Sequence, residues 1–385
     1  MAGALASRTL ARPSFETAFA APAFARAMLA FESALAAGEA EEGLIPEEAA
    51  RAIGSACESI AIDEEKLVAE GKRSATLAVP LVDMLRAEVA RQSRDAARHV
   101  HFGATSQDVL DTAMALCLRA CLEEADRSLE SAVRGLAAKA REHAATPMLG
   151  RTLMQPALPI TAGFKIARWA LALAHDRERL ADAQAAGLAV QLGGPAGTLD
   201  ALGGKAPAVR HRVAMRLALA DRPSWHVHRN AWIDLLDRIG QVVATAGKIA
   251  RDISLLAQPE VGEMLEAPPQ AGVGASSSMP HKRNPVGCAH ALTAAIRMPG
   301  LLATVHAAAI SENERALGGW QAELAVVPEI ASQLGSCLDF LDAIASSLVV
   351  DANRMRANLD AYAPGARPAA PHAAEELLAA LSPHL

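Results

Sequence analysis

Aromatic side chains are scarce in this chain of 385 residues: one Tyr, four Trp and seven Phe, 3% in all. Aromatic and β-branched residues favour strands, so their scarcity beside a 51% hydrophobic, Ala/Leu-rich composition argues for packed helices rather than sheets. Cysteine is sparse too. Cys57, Cys117, Cys121, Cys288 and Cys337 show neither metal nor redox spacing, and Cys117 and Cys121, one turn apart, suit two small core residues. Positive charge is not in excess: 37 Lys and Arg stand against 43 Asp and Glu, a net charge of −6, which offers no strongly basic face to nucleic acid. No uninterrupted apolar run is long enough to cross a bilayer. The N-terminal Met-Ala-Gly-Ala-Leu-Ala-Ser-Arg places Arg8 where a signal peptide needs its apolar stretch. These absences predict a reduced, soluble, cytoplasmic protein without nucleic-acid or membrane partners. The length allows one large domain or two to three smaller ones.

What is present is helical periodicity. Residues 14–98 read as short and medium helices broken by Gly43, Pro46, Gly54, Gly71 and Pro80, with a helix start at Pro46-Glu47-Glu48. From 107 to 345 the pattern lengthens, and helices are expected near 107–145, 157–187, 205–219, 228–257 and 286–312, forming an elongated bundle. No strand-period stretch stands out. The segment 286–310 is apolar nearly all round, which predicts burial among other helices, with a kink or break at Pro299-Gly300. Gly193-Gly194-Pro195-Ala196-Gly197-Thr198 is a turn-rich joint. Three domains are expected: an N-terminal helical domain over 1–100, a central long-helix bundle over 101–345, and a reduced C-terminal helical segment over 346–385 with one short helix near 373–381. The helices carry more apolar surface than one chain covers.

Residues 272–288, Gly-Val-Gly-Ala-Ser-Ser-Ser-Met-Pro-His-Lys-Arg-Asn-Pro-Val-Gly-Cys, organise the functional reading. Asn284 suits an N-cap and Pro285 the first helical position. Such a helix start favours an anion, and Lys282, Arg283 and the hydroxyls of Ser276, Ser277 and Ser278 stand beside it. A Gly/Ser linker is the plain alternative, but Met-Pro-His-Lys-Arg-Asn-Pro follows without a gap. The stretch resembles the Gly-Ser-Ser-x-Met-Pro-x-Lys-x-Asn-Pro signature of the fumarase/aspartase superfamily. The resemblance puts the catalytic serine at Ser276, with Lys282 and Asn284 as catalytic partners and Ser277 and Met279 at the substrate. Ala275 stands where the superfamily usually has glycine, which predicts a loop with a little less freedom.

Two further stretches fit. Residues 101–112, His-Phe-Gly-Ala-Thr-Ser-Gln-Asp-Val-Leu-Asp-Thr, suit a cap in which Thr105 or Ser106 starts a helix and Asp108 lies in its first turn. They also resemble the superfamily's Thr-Ser-x-Asp-x-x-Asp-Thr element, which implies carboxylate binding by the Thr105 and Ser106 hydroxyls and a site histidine at His101. A lone histidine is otherwise more often structural. Residues 150–159, Gly-Arg-Thr-Leu-Met-Gln-Pro-Ala-Leu-Pro, resemble a Gly-x-Thr-His-x-Gln-x-Ala-x-Pro element, with Thr152 and Gln155 at substrate-binding positions and Arg151 a further carboxylate ligand. Leu153 falls where fumarases and adenylosuccinate lyases carry a general-acid histidine. Water or an amine leaves more readily with a donated proton. A carboxylate, with a pKa of about 4, leaves as a stable anion. Leucine there suits the formation and opening of a lactone.

That chemistry, and the lack of this histidine, belong to the superfamily branch of 3-carboxy-cis,cis-muconate cycloisomerases. Thr76-Leu-Ala-Val-Pro-Leu-Val, Gln191-Leu-Gly-Gly-Pro-Ala-Gly-Thr-Leu and Glu312-Asn-Glu-Arg-Ala-Leu-Gly-Gly-Trp-Gln-Ala-Glu resemble its elements, with Arg315 a site residue and Trp320 and Glu323 structural. The resemblance implies an all-α fold whose long helices form a central bundle in a homotetramer, with sites shared between subunits. It further implies a small tricarboxylate substrate, no metal or other cofactor, and a place in aromatic-compound catabolism through the β-ketoadipate pathway. Other lyases of the scaffold (adenylosuccinate or argininosuccinate lyase) and a non-enzymatic helical scaffold are the alternatives.

Overall fold

Helix follows helix along the computed structural model, which describes residues 8–267, 273–275, 278–279, 282–368 and 372–385. The N-terminal part contains α1 (Pro13–Ala18), α2 (Ala21–Glu41), α3 (Glu47–Ser59), α4 (Glu64–Ser74), α5 (Ala78–Gln92) and α6 (Arg94–Ala97). Pro46 caps α3, with Glu47 and Glu48 in its first turn as the sequence predicts. Gly54 lies inside α3 and Gly71 inside α4 without breaking either. Pro80 sits in the first turn of α5, where its missing N–H has no partner to lose.

The central part runs α7 (Ser106–Glu142), β1 (Pro147–Thr152), β2 (Gln155–Thr161), α8 (Ala162–Gly187), a 3₁₀ turn (Asp200–Lys205), α9 (Ala206–Leu217) and α10 (Asn230–Leu256). It continues with β3 (Met264–Glu266), α11 (Val286–Ala308), α12 (Gly319–Ser347), β4 (Leu348–Val350), α13 (Ala352–Tyr362) and α14 (His372–Leu381). Helix α7 packs on α8, α8 on α10, α10 on α11, α11 on α12 and α12 back on α7, closing an elongated bundle. At 37 residues α7 is about 55 Å long. Small residues let the helices approach closely. A Cβ at Gly135 of α7 would lie 2.5 Å from the Ala345 carbonyl oxygen of α12, and one at Gly247 of α10 would lie 2.5 Å from the Ala295 Cβ of α11. A core built at that spacing has little room for aromatic rings, which accounts for their scarcity. Helix α14 matches the short helix expected near 373–381, and packs on α8 and α7 with Ala374 and Leu381 buried.

The structure corrects several expectations. Residues 147–161 form an antiparallel hairpin, not the entry to a helix at 157. Its pairing, Leu149 with Pro159 and Arg151 with Pro156, tolerates proline because the register slips between Leu149 and Arg151. Helix α8 starts only at Ala162, where the Thr161 hydroxyl accepts the Phe164 N–H at 3.1 Å. Helix α12, absent from the expected set, runs 29 residues through Pro328. Helix α11 runs unbroken through Pro299-Gly300. A mid-helix proline costs about 3 kcal/mol, so packing along the rest of each helix outweighs it. Nor is α11 buried: Ala289, Ile296, Ala303 and Ala307 form an exposed apolar stripe, and Ile296 is 73% exposed. By length and composition α11 and α12 could each cross a membrane, although α12 lies mostly inside the bundle.

Candidate active site

The bundle's connectivity places the predicted site residues. His101, Thr105 and Ser106 lie at the start of α7; the β1–β2 hairpin with Arg151, Thr152 and Gln155 follows its far end. Helix α8 returns the chain to the first end, where the joint at 191–198 meets the α7 start. Helix α10 runs back to the hairpin end, where Arg151 meets Glu263, and α11 starts there behind Lys282 and Asn284. Arg315 lies at the other end, where Arg315 meets Gln107.

At the joint end, Asp108 is the fixed point. Fully buried, it accepts N–H donors from Thr105 at 3.0 Å, Gly193 and Gly194 at 2.9 Å, and the Gln191 side-chain amide at 2.9 Å. Burial pushes its carboxyl up to about 6 while these four donors pull it down, so it is ionised at neutral pH. The Thr105 cap and the glycine joint therefore form one unit. Gly194, at φ +69°, is required there: a Cβ would lie 2.8 Å from the Gly103 carbonyl oxygen.

A second layer holds this unit from behind. Gln191 Nε2 donates to Ser224 Oγ at 2.8 Å, Ser224 Oγ lies 2.6 Å from His226 Nδ1, and His226 Nε2 lies 2.8 Å from the Glu314 carbonyl oxygen. The carbonyl can only accept, so Nε2 carries a proton and Nδ1 accepts from Ser224. Burial, the largest influence, holds His226 below the usual histidine range, consistent with a neutral ring. Arg315 donates to Gln107 Oε1 at 2.7 Å and to the Gly194 and Pro195 carbonyls at 2.9 and 3.2 Å. Its guanidinium thus ties loops together. Deeper still, Arg229 pairs with Asp111 at 2.7 and 3.1 Å and with Glu323 at 2.8 and 2.6 Å, under the Trp225 ring. No motif in the sequence marks Ser224, His226 or Arg229, whose partners Gln191, Glu314 and Glu323 come from distant segments.

At the hairpin end, Thr152 pairs with Gln155 across a two-residue turn, and the turn residues Leu153 and Met154 are 95% and 70% exposed. Both hold left-handed backbones, at φ +48° and +63°. Arg151 makes a bidentate pair with buried Glu263 at 2.8 and 2.7 Å, and Asn358 donates to the same carboxylate at 2.8 Å. The sequence expects Arg151 to hold substrate; in the structure its guanidinium pairs with Glu263 while the side chain stays 28% exposed.

Ser276 and Ser277, the expected base and its neighbour, lie outside the described residues. The loop's ends are pinned: Asn284 N–H donates to the Gly274 carbonyl at 2.8 Å, Ala275 bridges Arg283, and Lys282 N–H donates to the Met279 carbonyl at 3.0 Å. Lys282, Asn284 and Met279 are exposed. Ala275 is not among the described residues with left-handed backbones, so it needs no glycine. Pro285, not Asn284, is the N-cap of α11. The anion at that helix start is internal: Glu266 accepts from Gly287 and Cys288 N–H, each at 2.9 Å. Among the described residues no group of three or more His, Cys, Asp or Glu is placed to hold a metal.

Fold and loops together define an all-α enzyme built on an elongated bundle with polar loops gathered at its ends. A family model described as Lyase matches residues 8–300. The chain belongs to this lyase family, within the fumarase/aspartase superfamily. It is 46% identical over 306 residues to a 3-carboxy-cis,cis-muconate cycloisomerase from Bradyrhizobium diazoefficiens, covering 79% of this chain and 67% of that protein. A nitrosuccinate lyase from Streptomyces davaonensis is 40% identical over 311 residues, covering 78% of this chain and 65% of its own. The chain therefore spans about two thirds of the length of these relatives. The crystal structure of a 3-carboxy-cis,cis-muconate lactonizing enzyme from Pseudomonas putida superposes with a TM-score of 0.86 at 40% identity, covering 92% of this chain and 79% of that one.

Proposed function

We propose that the chain is a 3-carboxy-cis,cis-muconate cycloisomerase, forming 4-carboxymuconolactone in cytoplasmic aromatic catabolism by the β-ketoadipate route. The observation that carries this reading is Leu153 at the hairpin tip, in a chain 46% identical to a relative of that name. In the lactone-opening direction Ser276, as an alkoxide, removes the proton on the carbon next to a carboxylate. The C–H electrons form an aci-carboxylate dianion. Its collapse forms the new C=C bond and expels the ring oxygen as a carboxylate, and the proton stays on Ser276. Lactonisation is the reverse. No proton need reach the leaving oxygen, which is why an apolar residue serves at 153. Lys282, Asn284 and loop amides hold the dianion, each donor worth on the order of 3 kcal/mol. Glu266 fills the α11 start, so the three substrate carboxylates fall to side chains: Lys282, Asn284, Ser277, His101, Thr105, Ser106, Thr152 and Gln155, with Met279 at the rim.

These groups belong to both ends of a bundle whose longest helix measures about 55 Å, too far for one chain to gather them. A homotetramer with sites shared between subunits answers this, and the exposed apolar stripe on α11 supports it. The first test is the absorbance of the conjugated diene when purified protein meets 3-carboxy-cis,cis-muconate. Rapid loss, eliminated in Ser276→Ala, is expected; a folded oligomer that leaves the absorbance unchanged sinks the reading. A second reading is favoured by the likeness to the nitrosuccinate lyase. A nitro group leaves carbon as nitrite, another stable anion that needs no general acid, so Leu153 suits it equally. Nitrite release from nitrosuccinate in the same assay separates the two. Adenylosuccinate and argininosuccinate, whose leaving groups are amines, fit Leu153 less well.

A further inference from the structure

Helix α2 carries two carboxyl groups that this reaction does not use. Glu32 and Glu39, two turns apart on one face, are 1% and 0% exposed. Both oxygens of Glu39 and one of Glu32 have no hydrogen-bond partner among the described residues. A buried carboxyl in that position must be neutral or paired. Glu39 is neutral: burial first, and the Glu32 charge second, push it up to about 9. Glu32 is paired, its Oε1 2.6 Å from Nδ1 of His101. His101 reaches that contact from a left-handed backbone, φ +64°, strain that the pairing helps to sustain. Nδ1 is therefore taken, and Nε2 is the ring nitrogen left for a ligand.

We propose that Glu32 is a positioning residue for the substrate site: it holds His101 as an imidazolium whose Nε2–H meets a substrate carboxylate, with Glu39 behind it as a neutral acid. The site assignment of His101 rests on the cycloisomerase reading; its charge state does not. Several groups face this pair. Glu39 lies on α2, Cys57 on α3, with its thiol pushed up to about 12 by burial first and Glu32 next, Arg86 on α5, and Asp108 on α7. Burial draws His101 down and Arg86 opposes its charge, yet the charge and hydrogen bond of Glu32, with Asp108 behind, leave it above the usual histidine range. A second ionised carboxylate at Glu39 would compete with Glu32 for the same proton, and its neutrality leaves one charge for one imidazolium.

Diethyl pyrocarbonate modifies neutral imidazole, and peptide mass spectrometry resolves His101 from the other histidines without any substrate. Between pH 5 and 9, wild-type His101 is expected to react only above the ordinary histidine range. In Glu32→Gln the onset falls by about one pH unit or more, while Glu39→Gln follows wild type up to pH 8. In turnover, Glu32→Gln raises KM about tenfold at pH 8 with kcat little changed, a gap that narrows at pH 6. A folded Glu32→Gln protein with the wild-type modification profile overturns the proposal. So does a Glu39→Gln profile displaced as far as that of Glu32→Gln. If Glu32→Gln does not fold, Glu32→Asp keeps the charge and must keep the high onset; an onset at the free-histidine position defeats the idea. Failure to turn over muconate in any variant would leave the modification result intact, so the two readings fail separately.

Discussion

Arg229 sits between Asp111 and Glu323 with all three side chains buried, and Trp232 Nε1 donates to the same Glu323 carboxylate at 2.9 Å. Arg229→Met would leave two carboxylates without their cation, and loss of about 3–5 kcal/mol in denaturant unfolding is expected. A loss below 1 kcal/mol would mean that the triad is solvated. Glu39 gives a signed pH dependence. Its folded pKa, about 9, lies above the unfolded value of 4.5. Its stabilising share is complete below pH 4.5 and falls away as pH rises towards 9. Glu39→Gln removes that titration, so the variant should gain on wild type between pH 5 and 8 by up to about 1.4 kcal/mol per unit. Parallel stability curves would show the carboxyl to be solvated or paired. At this scale the sequence was legible where a short motif sets local structure, as in the capping box of Thr105 and Asp108. It was silent on guanidinium partners: Arg151 finds Glu263 112 residues away, and Arg315 finds Gln107 208 residues away. Only the tertiary fold brings those pairs together.

The β1–β2 hairpin is the element that propensity hid. Pro147, Pro156 and Pro159 break the strand pattern, so the segment reads as a loop before a helix. Its ladder forms because the ends of α7 and α8 hold it, through the His143 and Thr146 carbonyls accepting from Gly163 and Ala162 N–H, each at 2.9 Å. Helix α12 was hidden likewise, its Pro328 and Gly335 mimicking breakers inside a packed helix. The long helices α7 and α10 were legible within a few residues, because their apolar periodicity agrees with their burial, whereas α11 was legible in its start but not in its exposure. The hairpin turn also departs from what stability would choose. Leu153 and Met154 both take left-handed backbones, where Asn-Gly is preferred, and each costs about 1–2 kcal/mol. The double replacement Leu153→Asn and Met154→Gly should therefore raise Tm. If the tip enters a neighbour's site, the same change should lower kcat/KM by tenfold or more. Higher Tm with unchanged kcat/KM would place the tip outside the chemistry.

At the scale of the molecule, the arrangement of helices dictates how a site can be assembled. His101, Thr105 and Ser106 occupy one end of the bundle, and Thr152, Gln155, Lys282 and Asn284 the other, separated by helices such as α8 and α10 of 26 and 27 residues, about 40 Å each. One chain cannot close that distance; on the proposed shared site, chains running antiparallel would bring the joint end of one against the hairpin end of another. The outward stripe of α11, centred on Ile296, offers the surface on which they would meet. Ile296→Glu should dissociate the assembly in sedimentation and abolish turnover, while the helical content of the separated chains persists. Subunit mixing then tests the sharing itself. Lys282→Met disables the hairpin end, and Thr105→Ala with Ser106→Ala disables the joint end, so each variant alone is expected to be inactive. Co-assembled at equal ratio, about a quarter of the sites should draw both segments from undamaged sources. Recovered activity near that fraction requires sites built across chains. No recovery from verified mixed oligomers would overturn the sharing of sites between chains.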